Sequence, residues 1–113
     1  MEELFKLSDN LTNAIKNSKY YRDYLISREH IKKDSELYSK VREFKKLHID
    51  LQKKKNNGES IPFDYEKNVS QQYHKLVLNE NVKIFFENEQ ILVKLIGSIY
   101  NRITTECSLD FDI

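Results

Sequence analysis

The stretch LQKKKNNGESIP, residues Leu51–Pro62, holds three consecutive lysines, then Asn-Asn-Gly, then a proline. It reads either as a basic finger for phosphate or as the end of one helix and the start of the next. Local chemistry supports the helix end. Lys53, Lys54 and Lys55 fall in a last turn, where cations offset the negative end of the helix dipole. Asn57 or Gly58 suits the left-handed position that closes a helix. Pro62 fits the first turn of a following helix. Each residue type has a structural reason to be there, and none of them requires a phosphate.

Upstream, Asp34-Ser35-Glu36 is a helix start, with acids at the positive end of the dipole. From there the stripe is Leu37, Val41, Phe44, His48, Leu51 and Lys55, spaced alternately by four and three. That is a heptad-like seam. Downstream, PFDYEKNVSQQYHKLVL carries Tyr65, Val69, Tyr73, Leu76 and Val77 at helical spacing. An antiparallel hairpin turning near residue 60 sets Leu51 opposite Val69, Phe44 opposite Leu76 and His48 opposite Gln72. The expected seam is therefore Leu37, Val41, Phe44, His48, Leu51, Val69, Gln72 and Leu76. His48 has three open readings: an amide-paired residue that sets register, a half-exposed side chain, or a functional group.

Outside the hairpin the periodicity stays helical. Leu4, Leu7, Leu11 and Ile15 form an N-terminal stripe. Ser18 can cap a second helix, whose face is Tyr21, Tyr24, Leu25 and Ile31 with the stem of Arg28. A last helix begins near Val82 and ends near Thr105. Val82, Phe85, Phe86, Leu92, Leu95, Ile96, Ile99, Tyr100 and Ile103 line one broad face of it. The chain has only two glycines and one proline among 113 residues, 39% of them hydrophobic and 33% charged. Few turns and many charges suit long helices. The expectation is an all-α fold of four to five helices with a central antiparallel helical hairpin. It is a single helical domain over 1–106, with a C-terminal tail, 107–113, either loosely ordered or docked on a partner. A two-helix hairpin exposes as much apolar surface as it buries, so a homo-oligomer, a dimer or higher, is also expected.

The net charge of +1 exerts no global pull toward nucleic acid or an acidic membrane. Residues 1–57 carry 14 basic and 9 acidic side chains, while residues 58–113 carry 5 and 9. A chain folding back at Asn-Asn-Gly thus lays a basic arm along an acidic one. The N-terminus has no signal-peptide pattern, and no apolar run approaches a membrane span of about 20 residues. A cytoplasmic protein with no membrane insertion follows as the default.

Catalytic and cofactor motifs are absent from the sequence. His30, His48 and His74 lack metal-ligand spacing, and two glycines cannot build a phosphate loop. Cys107 stands alone beside Glu106 at a helix C-terminus, where the dipole disfavours a thiolate. No enzyme, metal or cofactor is expected. Lys45, Lys46, Lys53, Lys54 and Lys55, with Arg42, do give one helix a basic surface. Direct RNA binding through that surface is the alternative function. Against it, no aromatics are interleaved with the lysines for base stacking, and Glu43, Asp50 and Glu59 interrupt the patch.

An ordered series of short motifs adds a resemblance. Ala14, Ile15, Ser18 and Tyr21 form an Ala-Ile-x-x-Ser-x-x-Tyr opening, followed by Phe44, Lys45 and Leu47 as Phe-Lys-x-Leu. Gly58 and Pro62 form a Gly-x-x-x-Pro loop, and Val82, Lys83, Phe85, Glu89 and Gln90 close the series. From about Leu11 to Ile103 the chain resembles the YlbF/YmcA family of small helical bacterial regulators. The resemblance implies an all-helical, self-associating, non-enzymatic adaptor. It implies protein partners, among them paralogues and a membrane-associated endoribonuclease, and a role in RNA processing and developmental regulation. Some members of that complex carry cysteine-bound iron–sulfur clusters. This chain departs there, because Cys107 is its one cysteine and four thiolates are the usual ligand set. The surfaces expected to carry function are the hairpin tip and the outer face of the last helix.

Overall fold

Local signals decide where each helix starts and stops. A computed structural model describes residues 1–109, which form five α-helices and no strand. They are α1 (Glu2–Lys16), α2 (Lys19–Lys32), α3 (Ser35–Asn56), α4 (Phe63–Leu76) and α5 (Glu80–Glu106). The fold is all-α, as the periodicity predicts. Ser18 Oγ accepts the Tyr21 amide at 3.4 Å ahead of α2. Asp34 is the N-cap of α3, its Oδ1 accepting the Leu37 amide at 3.1 Å. Such a cap stabilises a helix by about 1 kcal/mol relative to alanine. Asn79 Oδ1 does the same for α5, accepting from Asn81 at 2.9 Å and Val82 at 3.4 Å.

The opening stretch of the sequence closes α3. Asn57 keeps φ −85°, and Gly58 takes the left-handed turn at φ 72°. Gly58 and Glu59 then donate to the carbonyls of Lys55 and Lys54 at 3.1 and 3.0 Å. A Cβ at position 58 meets no neighbour, so the glycine is there for its backbone conformation rather than for space. Pro62 stands one residue before α4 as its N-cap.

Two units make up the described chain. Unit 2 is Ser27–Phe85, and unit 1 joins Met1–Ile26 to the chain from Phe86 onward. In unit 2, Ile31, Val41, Phe44, Leu51, Val69, Val82 and Phe85 are buried and form the core. α3 and α4 pack against each other here. Near the loop Lys55 pairs with Glu66 and Asp50 with Tyr65, and farther from it on both helices Phe44 meets Tyr73. The pair is therefore antiparallel.

Unit 1 is held more thinly. Leu92 is buried, while Tyr21, Tyr24 and Leu25 are half-buried. The Tyr21 and Tyr24 ring centroids lie 6.3 Å apart. Asn88 Nδ2 of α5 donates to the Asp23 carbonyl of α2 at 3.3 Å. No residue of α1 is buried. The broad apolar face expected along α5 is covered unevenly. Val82, Phe85 and Leu92 are buried, but Ile96, Tyr100 and Ile103 are exposed. The face continues at helical spacing past Leu92, and α5 outruns what covers it. Cys107–Leu109, the start of the expected tail, closes this helix. Ser108 adopts φ 55°, and the Leu109 amide donates to the Thr104 carbonyl at 2.9 Å. The rest of that tail, 110–113, lies outside the described residues.

Candidate functional site

The lysine run sits where α3 ends, and most of its charge is already engaged. Lys55 Nζ pairs with Glu66 Oε1 across the hairpin at 2.6 Å. Lys54 Nζ reaches Asp50 Oδ2 at 3.4 Å and lies 5.0 Å from the centre of the Tyr65 ring. Lys45 Nζ lies 5.2 Å from the Phe85 ring centre. Lys46 and Lys53 are exposed and make no ion pair among the described residues. The five lysines therefore do not act as one free phosphate-binding row. Glu66 and Asp50 also place carboxylates beside them, where a phosphate is repelled.

Asp50 and Tyr65 form the polar clasp of the hairpin. The Tyr65 hydroxyl donates to Asp50 Oδ2 at 2.7 Å. That bond, seconded by Lys54 and opposed by partial desolvation, lowers the Asp50 carboxyl below its ordinary 3.8. The same bond raises the Tyr65 phenol above 10.0. A carboxyl with a lowered folded pKa adds stability above its unfolded value and loses it as pH falls through the folded one. The phenol behaves in the opposite sense: its contribution is present below 10.0 and is lost as pH rises through the raised value. In Tyr65→Phe, the Asp50 side-chain carbon is expected to titrate at a higher pH than in the native chain. An NMR titration giving the same midpoint in both proteins contradicts the clasp.

The expected seam is only partly one surface. Val41, Phe44, Leu51 and Val69 are buried, Leu37, Gln72 and Leu76 are half-buried, and His48 is exposed. His48 does not meet Gln72. Its ring stacks on Phe44 with centroids 5.8 Å apart, and its Nε2 lies 3.4 Å from Gln52 Nε2, one turn along the same helix. Gln72 Nε2 lies 3.5 Å from Asn68 Oδ1, also on its own helix. Each polar side chain finds a partner four residues away at little entropic cost, so no cross-helix pair is needed. Phe44 meets the Tyr73 ring at 6.0 Å, whereas Leu76 had been expected opposite it. Phe44, Leu51, Phe63, Val69 and Tyr73 line an open cleft of about 700 Å³ between α3 and α4.

Sequence reasoning missed the Asp50–Tyr65 clasp, the Lys55–Glu66 pair and the exposure of two apolar stripes. The first two were within reach, because both lie close to the hairpin register once charged and phenolic positions are included. The stripes were not, because periodicity identifies an apolar face and says nothing of its cover. Among the described residues, no three His, Cys, Asp or Glu side chains gather closely enough to hold a metal ion. Cys107 is an exposed free thiol. No described helix is long and apolar enough to cross a membrane.

Over residues 4–108 the chain matches the family described as "Control of competence regulator ComK, YlbF/YmcA". It is 26% identical over 109 residues to a UPF0342 protein of Caldicellulosiruptor saccharolyticus, covering 96% of this chain and 91% of that one. It is 29% identical over 98 residues to a UPF0342 protein of Streptococcus uberis, covering 87% and 88%. A solved structure, a protein of unknown function (DUF964) from Bacillus stearothermophilus, superposes with a TM-score of 0.80 over 94% of this chain and 93% of its own. At 18% identity that likeness is one of fold alone.

Proposed function

The chain belongs to the YlbF/YmcA family, described by its control of the competence regulator ComK, and from that premise we propose that it is a self-associating regulatory adaptor working through protein–protein contacts. The family is one of regulation, and its description names no reaction. The observation that carries the adaptor reading is the pair of exposed apolar stripes, Leu4, Leu7 and Leu11 on α1 and Ile96, Tyr100 and Ile103 on α5. Contiguous apolar surface left in water is the usual mark of a protein contact. The partners proposed are of the kind the resemblance implies: paralogues of this chain and an endoribonuclease whose processing of RNA they modulate.

Direct RNA binding through Lys45, Lys46 and Lys53–Lys55 is less well supported. Lys54 and Lys55 must first give up Asp50 and Glu66. Affinity capture from the host's own extract, with and without ribonuclease, separates the two readings. Partners are expected to survive ribonuclease. Lys53→Gln, Lys54→Gln and Lys55→Gln together are expected to leave capture intact, with a stability loss of about 0.3 kcal/mol for each lost helix-end charge. Partners that vanish with ribonuclease, or that the triple variant loses, make RNA the bridge and the lysine run the site.

A further inference from the structure

The cleft between α3 and α4 holds more apolar surface than the hairpin uses. Phe44, Leu51 and Val69 are buried and form its floor, while Phe63 and Tyr73 stand exposed beside them. Phe63 is 75% exposed, the most of any aromatic ring among the described residues. A ring so placed adds little to the stability of the fold. It does add wall to a concave space of about 700 Å³, which is the size of a small-molecule site. His48, whose place in the apolar stripe the hairpin pairing did not explain, stacks on Phe44 and lines the same space.

One charge at this cleft is unanswered. Lys55 and Glu66 line it but neutralise each other at 2.6 Å. Lys67 lines it as well, is exposed, and makes no ion pair among the described residues. Lys55 and Lys67 against Glu66, with His48 neutral, leave a balance of +1. An apolar floor and wall thus meet a single free cation.

We propose that the cleft binds an aliphatic carboxylate, its chain laid on Phe44, Leu51 and Val69 against the rings of Phe63 and Tyr73, and its anionic head at Lys67. The proposal is separate from the adaptor reading, which stands or falls on its own test.

Charge, length and hydrogen bonding select this class of ligand. The balance of +1 asks for one anion, and the floor asks for an apolar body attached to it. Phe44 and Leu51 lie two helical turns apart, so the floor is about 10 Å long and suits a chain of medium length. Both sides of the cleft are helices, whose main-chain groups are bonded within the helices themselves. An extended peptide laid on this floor would bury amide groups with no main-chain partner, since the chain offers no strand edge here. An alkyl chain brings no such groups.

The test is an NMR titration of the isotope-labelled full chain with decanoate, kept below its micellar concentration, and with decanol as the neutral control. One saturable site per chain is expected, with amide shifts centred on Phe44, Leu51, Phe63 and Val69. Phe63→Ala is expected to weaken decanoate about tenfold, through the apolar contact it removes. Lys67→Glu is expected to weaken decanoate about tenfold by replacing attraction with repulsion, and to leave decanol unchanged. Lys67→Arg is expected to bind decanoate as the native chain does. Phe63 and Lys67 are both exposed, so these variants are expected to keep the native circular dichroism. Binding that does not saturate overturns the proposal. So do shifts centred on the exposed apolar residues of α1 and α5, and a Phe63→Ala variant that binds as tightly as the native chain. A Lys67→Glu variant that keeps the native preference between decanoate and decanol also overturns it, because the head group then has no part in binding.

Discussion

Phe44→Ala is expected to destabilise the chain by about 3–5 kcal/mol, the range for removing a buried aromatic ring from a packed core. Phe44 retains 6% of its surface, and its ring lies against both His48 and Tyr73. Alanine removes all of that contact and leaves a hole beside an already open cleft. Phe63 lines the same cleft but is 75% exposed, so Phe63→Ala is expected to change stability by less than about 0.5 kcal/mol. Urea unfolding followed at 222 nm compares the two. Equal midpoints for the two variants contradict the placement of Phe44 in the core of unit 2.

Val82→Asp is the second large expectation, with a loss of about 3 kcal/mol or more from a carboxylate placed in an apolar site. Val82 is fully buried and lies in the first turn of α5, just after the Asn79 cap. The positive end of the helix dipole is close by and recovers a small part of the cost, about 0.5 kcal/mol. Val82→Asn tests the split: it keeps the polarity, loses the charge, and is expected to fall between the native chain and the aspartate. A near-native urea midpoint for Val82→Asp places that side chain in water.

The residues that announced the fold are those whose effects stay local. Asp34 and Ser18 cap helices because a side-chain oxygen reaches an amide three residues on, wherever the rest of the chain goes. Gly58 turns left-handed because no other residue does so cheaply. The facing pairs of the hairpin were less legible: Phe44 meets Tyr73 where Leu76 was expected, and His48 and Gln72 each find a partner on their own helix. What periodicity could not supply is cover. Leu4 and Val41 look alike in sequence, yet one is exposed and the other buried, because burial depends on what lies opposite. The candidate site was legible in the same proportion. The lysine run was correctly placed at the end of α3, and the Lys54–Asp50 pair lies within that helix, but Lys55's partner, Glu66, comes from a helix pairing that only the structure resolves.

The loop 57–62 between α3 and α4 also bears on how quickly the chain finds this arrangement. A loop so short costs little entropy to close, and the contacts it brings together are near neighbours in sequence. The α3–α4 pair is therefore expected to zip from its tip within microseconds to milliseconds, Lys55 and Glu66 first and Phe44 and Tyr73 after. Val82 and Phe85 come from α5, so the core of unit 2 stays unsealed until that helix has been made. A chain truncated before Glu80 should show the helices of the hairpin by circular dichroism, yet unfold without a cooperative transition.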